Sequence, residues 1–246
     1  MTDTPEPRSP ADELVSRAEQ LASTAADRMP SWLRPGSPES RFPVLVAIVA
    51  ALALQMAIPA HYTAVPRWPL IVLELALLVV ILAVNPLKPS ARARVGLWAT
   101  WALTAAITAD NTASAVILDY RILAGLVSDH AAVLLGSGAA IYITNVIAFG
   151  IWYWELDRGG PANRLTAQTA HPDFLFPQMT DPDFARPDWR PTFVDYWYVS
   201  FTNSVAFSPT DTMPLARWAK LMMTVQALVA TTTVALVFTR AVSLLN

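Results

Sequence analysis

The chain has 246 residues, 54% of them hydrophobic and 15% charged, with a net charge of −2 and no cysteine. A soluble domain carries about 25% charged residues, so the composition predicts an all-α integral membrane protein embedded in a lipid bilayer. It excludes disulfides and thiolate chemistry, offers no basic patch for nucleic acid, and leaves His61, His130 and His171 too scattered to hold a metal.

Residues 1–42 are polar and carry both signs of charge ahead of any apolar run, unlike a signal peptide. Within them, ADELVSRAEQLASTAADR places Leu14, Ala18, Leu21 and Ala25 on one face behind Asp12 and Glu13. This predicts a cytoplasmic N-terminal segment with an amphipathic helix, the plainer alternative being a tail.

An N-terminal transmembrane bundle is predicted over 43–128, because apolar blocks of this length suit a span of ~20 residues. Its first helix runs from Pro43 to Ala60 and its second from Trp68 to Val84. The stretch after Val95 reads two ways. TADNTAS can break it, with Asp110 and Asn111 forming a turn and cap between Val95–Ala109 and Thr112–Val127. Alternatively a single helix covers Val95–Leu118. The first reading gives six transmembrane helices in all, the second five. Lys88, Arg92 and Arg94, with Arg28, Arg34 and Arg41, put the N-terminus and the 85–94 loop in the cytoplasm. With six spans both termini are cytoplasmic and the 155–190 loop is extracellular.

Ionisable residues inside spans are functional candidates. Glu74, Asp119 and Arg121 are these, and a structural pair between Glu74 and Arg121 is the expectation. A single arginine is too little charge for a voltage sensor.

The remaining segment, 129–246, has an outer helix over 131–154, the long loop 155–190, and then a shorter pattern. PTFVDYWYVSFT starts with Thr192 as N-cap and Asp195 placed to reach back to its amide. A helix over 192–202 is too short to cross ~30 Å at 1.5 Å per residue. A polar stretch, 203–212, follows, and then a long helix over 214–245. Irregular backbone at membrane depth persists only when buried in protein or lining a water-filled cavity. The order of short helix, polar return and long helix predicts a re-entrant pore helix and filter loop.

That segment resembles the pore module of the tetrameric potassium-channel superfamily, in the two-helix form found in many bacterial channels. The family pattern is roughly aromatic-x-S-F-x-T-x-T-T-V-G-Y-G-D-x-x-P. Tyr198, Ser200 and Phe201 match its pore helix, and Asp211 and Pro214 match its D-x-x-P. Where the family has T-V-G-Y-G, this chain has Ala206, Phe207, Ser208, Pro209 and Thr210. A potassium filter needs glycine angles to aim its carbonyls at the ion, so the resemblance carries the fold without the selectivity.

The resemblance implies a homotetrameric ion channel for a permeant inorganic ion, weakly selective for cations. Ser204, Ala206, Phe207, Ser208, Pro209, Thr210, Asp211 and Thr212 form its filter and mouth. Tyr196, Trp197, Tyr198 and Phe201 brace the pore helix, and Thr224 and Thr231 line the inner helix. An anion-conducting pore of the same fold, a secondary transporter and a non-conducting scaffold are the alternatives. No cofactor or metal is called for, and no catalytic motif points to an enzyme.

Overall fold

The computed structural model describes residues 17, 30–34, 39–64, 66–83, 93–127, 130–165, 171–206 and 211–245. The predicted amphipathic helix and positions 207–210 lie outside them, apart from Arg17. The described chain is all-α but for one pair of two-residue strands. Its main helices are α1 (Phe42–Ala57), α2 (Arg67–Ala83), α3 (Ala93–Leu123), α4 (Ala131–Leu156), α5 (Phe193–Ala206) and α6 (Arg217–Leu245).

Pro43 sits in the first turn of α1, where its missing amide costs nothing, and an extended Ile58 closes the helix just ahead of Pro59. α4 is the central element, sixteen of its residues being buried. Glycine lets two neighbours approach it closely. A Cβ at Gly138 would lie 2.7 Å from the Val237 side chain of α6, and one at Gly150 would lie 3.0 Å from the Trp197 Cα of α5. Two stretches, Ala131–Gly159 and Arg217–Leu244, are long and apolar enough to cross a membrane, and α1 and α2 contribute shorter apolar helices.

Four expectations need correcting. First, TADNTAS does not break the chain, because α3 is one helix of 31 residues. Several of its polar side chains find partners without a turn. Thr100, Thr104 and Thr108 each donate to the carbonyl four residues back, at 2.8, 2.8 and 2.6 Å. Asp110 accepts from Gln55 Nε2 of α1 at 2.9 Å. The two short helices predicted over 95–127 are therefore one continuous helix.

Second, α5 continues through Ala206, four residues past the predicted end at 202, so Asn203 to Ala206 belong to a helix and not to the return. Thr202 and Ser204 bond back to the carbonyls of Tyr198 and Ser200 at 2.9 and 3.0 Å, and α5 adds a turn. Third, the long helix begins at Arg217 because Met213–Pro214 is a strand paired antiparallel with Phe174–Leu175.

The fourth concerns sides. Ser31 Oγ donates to the Trp189 carbonyl at 2.7 Å, and Arg158 Nη1 donates to the Trp32 carbonyl at 3.2 Å. The segment ahead of α1 thus packs on the 155–190 loop at the C-terminal end of α4. The far end of α6 packs near the start of α4, through Val237 and Gly138. N-terminal segment and loop share one end and the chain's C-terminal helix finishes at the other, against the predicted arrangement.

Candidate functional site

The site is built around α5, which descends beside α4, and the return that follows it. Thr192 and Asp195 start α5 as the sequence predicts. The Asp195 carboxylate accepts from the Thr192 amide at 2.7 Å and its hydroxyl at 2.9 Å. The amide of Phe193, another orphan donor of a helix start, is taken up by Glu39 Oε1 at 2.6 Å. Glu39 also accepts from Trp154 Nε1 at 2.8 Å and lies 3.9 Å from Arg164. Burial raises its carboxyl above the ordinary range, outweighing these bonds.

One turn into α5, Tyr196 is fully buried and donates from its hydroxyl to Asp157 Oδ2 at 2.5 Å. Asp157 is itself buried and pairs with Arg158 Nε at 3.2 Å. Its other oxygen accepts from the amides of Asp173 and Phe174 at 3.0 and 3.3 Å. Asp173 then holds the return: its carbonyl accepts from the amides of Leu215 and Ala216, at 2.8 and 3.3 Å, and its carboxylate from Trp218 Nε1 at 3.2 Å. The first turn of α5 and residues 215–218 are thus tied to one pair of aspartates. The chain enters and leaves at the same end of the molecule.

Deeper in, Gln226 of α6 is the junction. Its Nε2 donates to the Ser200 carbonyl, Ser200 Oγ and Ser204 Oγ at 3.0, 2.6 and 2.9 Å. Its Oε1 accepts from Tyr153 of α4 at 2.6 Å and from Asn203 Nδ2 at 2.9 Å. Ser200 also donates to the Val146 carbonyl at 2.7 Å. One amide therefore joins three helices.

The predicted residues divide accordingly. Tyr196, Ser204 and Thr212 are buried, and Ser204 serves packing where the sequence predicts a filter. Trp197, Tyr198 and Phe201 face outward, with the Trp197 and Phe201 rings stacked at 5.9 Å, so the four aromatics predicted to brace the pore helix are split between two faces. Ala206 is the last residue of α5, Asp211 is exposed, and Phe207, Ser208, Pro209 and Thr210 lie outside the described residues. Thr224 and Thr231 share a groove of about 430 Å³ with Asn203, Lys220 and Leu228. Asp119 accepts from Thr233 Oγ1 at 3.2 Å. Among the described residues no ion pair joins Glu74 to Arg121, correcting that expectation.

Asp157, Asp173, Glu39, Asn203 and Gln226 were not singled out from the sequence. Gln226 had a signal, as a lone amide in an apolar helix; the aspartates read as loop residues. Comparison of the chain with protein-family models, with curated proteins and with solved structures finds no match.

Proposed function

We propose that the protein is an ion channel whose pore is formed by the re-entrant element of α5, the 207–216 return and α6, assembled from four copies around one axis. The observation that carries this reading is the shared clamp. Tyr196 and residues 215–218 meet the same Asp157–Asp173 pair, so a helix too short to span is sent inward and its chain brought back. The exposed apolar side chains of α5 and α6, such as Phe201, Leu221 and Leu228, suit contact with lipid or with further copies. Asp211 is exposed on the return, and four such carboxylates near an axis favour cations.

Purified protein in liposomes under an imposed gradient is expected to pass ions without saturation, with Na+ and K+ nearly equivalent. Asp211→Asn is expected to reduce cation flux severalfold and move the reversal potential away from the cation value. Coupled, saturable uptake would instead mark a transporter, and absence of flux a scaffold. A second reading rests on Lys220, which lines the Thr224–Thr231 groove. A ring of these cations favours an anion, and under that reading the reversal potential follows chloride and shifts with Lys220→Gln.

Orientation follows from the shared end. Arg34, Arg41, Arg158, Arg164, Arg186 and Arg190 belong to the N-terminal segment and the loop. Lys88 and Arg92 precede α3 in the sequence and Arg94 is its second residue, and Trp101 of α3 meets Trp152 near the same end, with ring centroids 6.4 Å apart. The positive-inside rule puts that end in the cytoplasm. The pore element then enters from the cytoplasmic side. The chain has no cysteine, so Asp183→Cys, on the exposed loop surface, gives a single label site. An impermeant maleimide is expected to reach it only after lysis; labelling on intact cells would reverse the orientation.

A further inference from the structure

TADNTAS runs unbroken through the middle of α3, and the re-entrant element uses none of it. Its side chains lie where the apolar core is interrupted. Ile48 and Ala51 of α1, Leu103 and Ile107 of α3, and Ile147 and Ile151 of α4 belong to one apolar cluster. Ala115 and Leu118 of α3 and Ala140 and Ile141 of α4, with Ile58 just past the end of α1, belong to a second. Between them, each helix supplies polar residues: Gln55 on α1, Asn111 and Ser114 on α3, Thr144 and Asn145 on α4.

These five residues are between 0 and 4% exposed. Each carries an oxygen shut off from water with no hydrogen-bond partner: Gln55 Oε1, Asn111 Oδ1, Ser114 Oγ, Thr144 Oγ1 and Asn145 Oδ1. None of their nitrogens shares that state. An oxygen left this way in a protein interior is costly, and the Ser114 and Thr144 hydroxyls, able to donate as well as accept, reach no partner either. One carboxylate, Asp110, bonds a member of the layer, and a second lies on α2. Asp110 is the acceptor for Gln55 Nε2, and Glu74, 1% exposed, lies one turn before Leu78 of the first cluster.

We propose that this layer binds an alkali-metal cation, Na+ or K+, inside the N-terminal bundle. Carboxylate, amide and hydroxyl oxygens are the ligands a hard cation takes. The layer offers no thiolate or imidazole, the donors of softer metals. Its uncharged oxygens outnumber its carboxylates, which matches a singly charged ion better than a divalent one. No residue of α5 or α6 takes part, so the site stands or falls independently of the pore reading.

Full-length protein in detergent is melted at constant ionic strength in choline chloride, NaCl and KCl. Na+ or K+ is expected to raise Tm saturably, by about 5 °C over choline. Ser114→Ala and Asn111→Leu are expected to abolish that rise. Each removes an unpartnered oxygen, so in choline both should melt at or above the wild-type temperature, which shows that they fold. Glu74→Gln should weaken retention of radioactive sodium at least tenfold. Equal melting in all three salts would mean that ordered water alone fills the layer and overturns the proposal. So would a rise given only by Ca2+, or one that persists in both variants.

Discussion

Asp157→Ala is expected to destabilise the protein by about 3–5 kcal/mol, the range seen when one member of a buried ion pair is removed. The carboxylate is fully buried and faces four donors: Arg158 Nε, the Tyr196 hydroxyl and the amides of Asp173 and Phe174. Truncation leaves the Arg158 guanidinium buried opposite an empty space, at 5% exposure. It also frees Phe174, whose strand holds Met213 and Pro214. Loss of order should therefore spread to the return and not stop at the loop. Asp157→Asn keeps the shape but loses the charge and half the acceptors, and should fall between the two. Asp183→Ala, on the exposed part of the same loop, should stay within about 0.5 kcal/mol of wild type. Thermal melting with size-exclusion profiles in detergent reads all three. If Asp157→Ala melts like Asp183→Ala, the clamp does not hold the return.

The contrast between those two aspartates shows what the sequence conceals. Both sit in a loop rich in Asp and Pro, and both read as turn residues. Asp157 is buried only because Tyr196, 39 positions later, and Asp173 fold over it. Nothing local announces that contact. The start of α5 was legible because its cap is local: Thr192 and Asp195 are three residues apart and bond directly. α4 and α6 were legible for a similar reason, as long apolar runs. The middle of α3 was not. Asp-Asn-Thr is a genuine turn signal, but an acceptor satisfied from α1, through Gln55, removes the need to leave the helix. That one misreading has a large consequence, since one helix fewer moves the 155–190 loop to the side of the N-terminus. The split of the aromatic run was readable in principle. Tyr196, Ser200 and Asn203 recur at helical spacing and are buried together, while Trp197, Phe201 and Val205 recur on the opposite face.

Gln226→Leu is expected to be the second most damaging change, and its pattern separates a hub from ordinary packing. Leucine has nearly the volume of glutamine, so little cavity is made and the loss is in hydrogen bonds. The neighbours do not suffer equally. Ser200 still donates to the Val146 carbonyl, Ser204 to the Ser200 carbonyl, and Asn203 to the Met223 carbonyl. Only the Tyr153 hydroxyl, fully buried, loses the one bond shown for it. An orphaned buried hydroxyl costs about 1–3 kcal/mol, and the amide's own bonds to α5 add to that. The single variant is therefore expected to lose about 2–4 kcal/mol. Tyr153→Phe alone should lose less, because Gln226 keeps Asn203 as a donor to Oε1. The double variant should be more stable than the sum of the two losses allows, by about 1 kcal/mol or more, since the orphaned hydroxyl is gone. Because Gln226 is what fastens the middle of α5 to α6, the proposed channel activity should fall in liposomes with Gln226→Leu and stay low in the double variant. Recovered stability without recovered flux would separate the positioning of α5 from the stability of the fold. Strict additivity of the two losses would mean that Gln226 and Tyr153 act independently and that the three-helix junction is not a unit.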